Sequence, residues 1–396
     1  MSSPAILPFS RSWRRWALIA LVACAPGLSS QGATFVVDRF DDANGSCDPG
    51  DCSLREALLA AEATAEQDTV ILPSGRHTLS IPPAAEGDLS TGDLEIILFD
   101  VEIIAPSGAV IDAQGIDRVF RFLRSSSSRL VNLTLTGGRR PSGVGGGVYV
   151  ESSNLELENV WIVDNQAFIG GGLAIELGTV ILDHVTVSDN ACMHTGGGVY
   201  LFGISQTRVG RLEVRNSTIS GNHADLTGGA ILIGAAGQLL LEYSTIAENT
   251  NRPGDATISP FLSHAPADAA YTLVEGACSA GPEASCIYLA SKAEELAVPD
   301  LGLEALAMNG GLTPTHALLL ESPAIDVVPA AAACPDGDQR GAPRPEDGDR
   351  DGEARCDAGS FELSGPPVVE IPTLGELGVL ALIVLLAGAG VVALRR

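Results

Sequence analysis

Three carboxylates stand at alternate positions before a glycine in Asp347-Gly-Asp349-Arg-Asp351-Gly352, the spacing with which short loops wrap Ca²⁺ in hard oxygen ligands. The bidentate acid of an EF-hand would fall at Ala358, so the EF-hand pattern is not met. The segment reads as a partial Ca²⁺ loop with Asp347, Asp349 and Asp351 as ligands, or as a polar turn. A second set of acids, Asp164, Asp189 and Glu248, recurs one residue before an asparagine. A glycoside hydrolase needs two carboxylates flanking the scissile bond, and a lyase needs a cation-bound acidic cluster with an Arg or Lys base. Single acids beside an asparagine are ordinary turn formers, and the set is read that way. His184, His194 and His223 occupy different places in their segments, so they are not expected to converge on one zinc.

Cysteine chemistry points to an oxidising compartment. Eight cysteines occur, and Cys24 lies within an N-terminal leader. Pairing near neighbours joins Cys47 with Cys52, Cys278 with Cys286 and Cys334 with Cys356, and leaves Cys192 as a buried thiol.

The elements that must carry these residues are repeats. Asn132-Leu-Thr-Leu-Thr-Gly-Gly138, Asn159-Val-Trp-Ile-Val-Asp-Asn165, His184-Val-Thr-Val-Ser-Asp-Asn190, Asn216-Ser-Thr-Ile-Ser-Gly-Asn222 and Tyr243-Ser-Thr-Ile-Ala-Glu-Asn249 line up, with starts 27, 25, 32 and 27 residues apart. That is the period of one solenoid coil. Between them recur Gly145-Gly-Gly-Val148, Gly170-Gly-Gly-Leu173, Gly196-Gly-Gly-Val199 and Gly228-Gly-Ala-Ile231, each opening another strand. Glycine tolerates positive φ and asparagine tolerates the left-handed region, so both suit corners. Stacking then aligns Asn165, Asn190, Asn222 and Asn249 as a ladder of side-chain amides. No such strand buries its apolar face alone; neighbouring coils supply the core. Earlier stretches at 69–72, 94–98 and 119–122 fit as further coils.

A solenoid exposes sheet edges at its ends and must cover them. Ser53-Leu-Arg-Glu56 matches a capping box and predicts a short amphipathic helix over 53–64 above the first coil, with Arg55 and Glu56 as cap residues. Forty-five glycines and 5% aromatic residues suit a turn-dense solenoid. A net charge of −26 repels phosphate backbones, so nucleic acid is excluded as a partner.

Both ends read as export signals. Arg11, Arg14 and Arg15, an apolar run from Trp16 to Ala25 and small residues up to Ala33 form a secretory leader over 1–33. Leu21-Val22-Ala23-Cys24 also fits a lipoprotein box, which would put a lipid on Cys24. From Leu377 to Leu394 run eighteen residues without a charge, followed by Arg395 and Arg396. As a helix this spans about 27 Å, close to a hydrocarbon core, with the arginines inside and the bulk of the chain outside.

Four resemblances rest on these residues. Cys52-Ser-Leu-Arg-Glu-Ala57, preceded by Cys47 and Thr34-Phe-Val-Val-Asp38, resembles the CSLREA domain of secreted bacterial β-helix proteins. The Gly-Gly and Asn-ended strands resemble polymorphic outer-membrane protein repeats and, in fold, the pectin-lyase-like superfamily. Asn309-Gly-Gly-Leu-Thr-Pro-Thr-His316, Ser322-Pro-Ala-Ile-Asp326, Asp338-Gln-Arg-Gly341 and Cys356-Asp-Ala-Gly-Ser-Phe-Glu362 are similar to a type Q choice-of-anchor domain. Ile371-Pro372-Thr373-Leu374, Glu376, the apolar span and the terminal arginines resemble an IPTL-type sorting signal, with Leu377-Gly378 where that family carries Trp-Gly. These resemblances imply export, an exosortase-like sorting peptidase as partner, and a β-helix held at or released from the cell surface; none implies a reaction.

The expected architecture is all-β: a right-handed parallel β-helix over 34–298 with an N-terminal capping helix, a closing module over 299–363, a linker at 364–370, and a sorting signal over 371–396 containing the transmembrane helix 377–394. The expected function is non-catalytic surface display, with adhesion or glycan and matrix contact. The alternative is a polysaccharide lyase or glycoside hydrolase.

Overall fold

The computed structural model describes residues 32–365, apart from 65, 126, 252–266, 276–284 and 290–294. Among the described residues helix is confined to Leu54–Glu62, and the rest of the regular structure is strand paired almost wholly in parallel, a β-solenoid of the right-handed type. Residues 1–31, most of the expected leader over 1–33, and 366–396, with the expected membrane helix and Ile371 to Leu374, lie outside the described residues. Among those described, no helix is long and apolar enough to cross a membrane.

Each full coil visits three faces and a small corner sheet. The first face stacks Leu94–Ile97, Phe120–Leu123, 148–151, 173–176, Val199–Phe202 and Ile231–Ile233. The second runs from Thr34–Val36 through Asp68–Ile71 to Gly210–Arg215 and Gly237–Glu242. The third holds Arg76–Thr78, 109–112, 133–136, Trp161–Val163, Thr186–Ser188, Thr218–Ser220, Thr245–Ala247 and Thr272–Val274. The corner sheet joins Arg139–Val144, Gln166–Ile169, Ala191–Cys192, His223–Ala224 and Thr250–Asn251.

Alternation along each strand sends every second side chain inward, where like residues stack. Phe120, Val148, Leu173, Val199 and Ile231 form one such row and are fully buried. Each contributes about 1.5–3 kcal/mol by leaving water.

Corners are set by left-handed residues. Asn132, Asn159, His184, Asn216, Tyr243 and Tyr271 all have positive φ between the second and third faces. Asp164, Asp189, Gly221 and Glu248 do so after the third face, and Gly145, Gly170, Gly196 and Gly228 before the first. This corrects one expectation. The ladder asparagines are not themselves the left-handed residues; the residue before each makes the turn, which frees the asparagine to point inward and cap backbone groups. The second Gly of each triplet has its own reason: a Cβ on Gly171 would lie 2.5 Å from the Gly197 carbonyl oxygen of the next coil.

At the N-terminal end, the Ser53 hydroxyl accepts the Glu56 N–H while the Glu56 carboxylate accepts the Ser53 N–H, the reciprocal cap expected. Arg55 is fully buried, pairs with Asp42 at 2.7 Å, and donates to the carbonyls of Leu89 and Gly92, so it ties helix and first coils together. At the other end, Thr272–Val274, Ser285–Tyr288 and Glu295–Val298 switch to antiparallel pairing.

Residues 299–363 run along the third face rather than over the end of the stack. Threonines from three consecutive coils hold them: Thr186 Oγ1 donates to Pro314 O at 2.6 Å, Thr218 Oγ1 to Gln339 Oε1 at 2.6 Å, and Thr245 Oγ1 accepts the Ser360 N–H at 3.0 Å.

Candidate functional site

A network of ion pairs gathers at the start of the first face. Three arginines, Arg121 on that face, Arg118 just before it and Arg140 on the corner sheet, are each anchored by a buried acid: Arg118 by Asp93, Arg121 by Glu95 at 3.0 Å, and Arg140 by Asp117 at 2.8 Å. Arg121 also reaches Glu151 at 3.1 Å, and all three guanidiniums converge on Glu86 from the 80–92 loop. Burial pushes the Asp93 carboxyl up to about 6 against the opposing pull of Arg118, and raises Asp117 for the same first reason. One oxygen, Glu95 Oε2, is buried without a hydrogen-bond partner.

Two arginines cover a ring. Arg118 and Arg121 lie 5.5 and 5.7 Å from the Tyr149 ring centre, and the Tyr149 hydroxyl donates to Glu176 Oε2 at 2.9 Å. Register then sets out an outward row of Glu95, Arg121, Tyr149, Ala174, Tyr200 and Leu232, beside a second row containing Glu151, Glu176 and Phe202. The Tyr200 and Phe202 rings are parallel within 7°, with centres 6.1 Å apart.

No family model, curated protein or solved structure matches this chain.

The predicted residues fall out unevenly. Asp347 and Asp349 do come together, but with Asp326 and not with Asp351: one carboxylate oxygen from each of the three lies within 4.8 Å of the others. Asp351 instead accepts the Glu353 N–H at 2.8 Å in its own turn. Asp326 is buried and accepts the Asp349 N–H at 3.0 Å and the Arg355 N–H at 3.1 Å; burial raises its pKa. Asp347 Oδ1 is buried without a partner. Three oxygens so placed are the part of the described chain that can share one hard cation. Asp326 lies in a separate block more than twenty residues away, so local spacing does not reveal it.

The histidines stay apart. His184 pairs with Asp183 at 2.8 Å, His194 stacks on Phe168 at 5.3 Å, and His223 contacts Thr250 at 3.0 Å. Asp164, Asp189 and Glu248 occupy left-handed corners one coil or more apart. Disulfides join Cys47 to Cys52 and Cys334 to Cys356. Cys286 is disulfide-bonded, and Cys278 lies outside the described residues. Cys192 is a free buried thiol, pushed up to about 11 by burial and so unreactive.

One nucleophile–base geometry was not foreseen. Ser220 Oγ lies 2.7 Å from His316 Nε2, and His316 Nδ1 lies 2.7 Å from the Glu304 carbonyl oxygen. The orientation is that of an activated serine. Ser220 is fully buried and His316 is 1% exposed beneath the 299–363 segment, so no substrate reaches them. The pair is part of the seam that holds that segment down.

Proposed function

We propose that this chain is an exported, envelope-anchored β-solenoid that works as a non-catalytic surface-display module, contacting glycan or matrix through its sheet faces. The observation that carries this reading is the state of the four acids clustered with arginines at and beside the start of the first face. A hydrolase needs one carboxylate free to protonate a leaving group and a second free to attack or activate water. Here Asp93, Glu95, Asp117 and Glu151 are each engaged by an arginine, and the first three are buried. Arg118, Arg121 and Arg140 are engaged in turn, so none is left as a lyase base. The arrangement stiffens a surface. The leader, the apolar tail and Ile371 to Leu374 support export and processing by an exosortase-like peptidase.

Incubating the purified chain with acidic and neutral polysaccharides tests the proposal. Retention on one of them with no new reducing ends or unsaturated products is expected; product formation would replace the reading with the lyase or hydrolase alternative.

A further inference from the structure

We propose that the Tyr200–Phe202 ring pair is a stacking platform for a neutral, hydroxyl-rich polysaccharide, with Glu176 as the acceptor for its hydroxyl groups. The inference rests on the binding reading above and narrows it to one place and one ligand chemistry.

Aromatic residues are only 5% of this chain, so where they are spent is informative. Tyr200 and Phe202 alternate with the buried Val199 and Leu201, which forces both rings to the outside of the first face. Both residues are half-buried. One coil back, their neighbours in register are Ala174 and Glu176. Ala174 is too short to compete for the surface, and Tyr149 and Tyr200 flank it on either side in register. The outer surface there is therefore ring. Around it stand further exposed apolar groups: Phe168 at 40%, Met193 at 46% and Ile204 at 55% exposure. The Phe168 ring meets His194 at a tilt, with ring centres 5.3 Å apart.

The class of ligand follows from charge. A pyranose ring offers an apolar C–H face whose hydrogens carry partial positive charge, and an aromatic face carries partial negative charge. Its hydroxyls need acceptors at the rim. Glu176 supplies them: one oxygen takes the Tyr149 hydroxyl, which fixes the carboxylate, and its charge is felt at Tyr200, whose pKa is raised by burial and by Glu176. A uronate or sulfated chain would need a cation here. Of the arginines on and beside this face, Arg118, Arg121 and Arg140 are already committed to Glu86, Asp93, Glu95, Asp117 and Glu151, which leaves the exposed Arg124, Arg139 and Arg208 as the cations that the anionic arm of the test probes. With a net charge of −26 on the whole chain, the platform repels polyanions and accepts neutral chains. Successive coils are about 4.8 Å apart, so the face runs straight under an extended polymer.

The test is affinity electrophoresis of the full-length chain through gels containing hydroxyethyl cellulose, xylan or galactomannan, with polygalacturonate and alginate as the anionic arm. Retardation by at least one neutral polymer is expected, with none by the anionic pair. Tyr200→Ala and Phe202→Ala should each weaken retention about tenfold, the loss of a central aromatic contact. Arg211→Ala on the second face should not, and unchanged melting temperatures in all three variants exclude unfolding as the cause. Retention that survives both ring substitutions overturns the platform and leaves the binding function standing at another face. Retention by the anionic polymers alone overturns the ligand class. No retention by any of the five polymers removes both the platform and the glycan reading.

Discussion

Asn190 Nδ2 donates to Asn222 Oδ1 at 3.0 Å, and the Asn190 backbone N–H reaches the same oxygen at 3.1 Å. The relationship repeats between Asn165 and Asn190 and between Asn222 and Asn249. Each Nδ2 also caps a carbonyl left over at the corner, Ile162 O in the case of Asn190. Asn190→Ala therefore strands donors and acceptors in a dry turn, at about 1–3 kcal/mol for each group left unpaired. Asn249→Ala, at the less buried end, should cost less. Urea unfolding of the two variants checks the order, and equal midpoints would show that the ladder adds nothing beyond local turn structure.

The 299–363 segment hangs on Gln339. Its Oε1 accepts from Thr218, and its Nε2 donates to Thr186 at 2.7 Å and Thr313 at 2.9 Å. Gln339→Leu keeps the bulk and removes all three bonds. Loss of about 1–3 kcal/mol and faster proteolysis within 299–363 are expected, with the coils still protected. Cleavage at the wild-type rate would mean that apolar packing of Leu301, Leu318 and Phe361 alone secures the segment.

Two buried carboxyls set a pH dependence. Burial pushes Asp93 up to about 6, and burial beside Glu362 pushes Asp357 up to about 7, both from an ordinary value of 3.8. A folded-state value above the unfolded one means that the native chain holds the proton more tightly. The resulting stability is complete below about pH 4 and is lost as pH rises through 6 and 7. The melting temperature should therefore fall between pH 5 and pH 8, and Asp357→Asn should flatten that slope. A profile rising over this range would contradict both assignments.

Calcium should act through Asp326, Asp347 and Asp349. Addition of Ca²⁺ is expected to raise the melting temperature and chelator to reverse it, because an ion bound only to the native state stabilises it by mass action. Asp347→Asn should abolish the shift, whereas Asp351→Asn should leave it intact. Absence of calorimetric heat and of any shift in melting temperature would reduce the three carboxylates to a polar turn.

Replacing Ile371, Pro372, Thr373 and Leu374 together by alanine should leave an unprocessed form in the producing cell, read as intact mass at the C-terminus. Wild-type processing of that variant would count against a sorting signal at these residues.

The coil period, the strands, the capping box at Ser53 and the asparagine stack are legible in the sequence because each rests on local rules. Alternation, glycine at corners and a Ser-to-Glu spacing act within a few residues, and repetition makes them visible. Spacing also brings out the Cys47–Cys52 and Cys334–Cys356 pairs. Three things depend on where distant segments meet. Asp326 joins Asp347 and Asp349 only because the 299–363 segment folds back on itself. Ser220 meets His316 only because that segment lies along the third face, which a linear order of domains does not state. Asp93, Glu95, Asp117 and Glu151 are engaged only in space, by Arg118, Arg121 and Arg140 from other parts of the chain. Charge pairing and burial are properties of the packed surface, and no residue's type or spacing carries them.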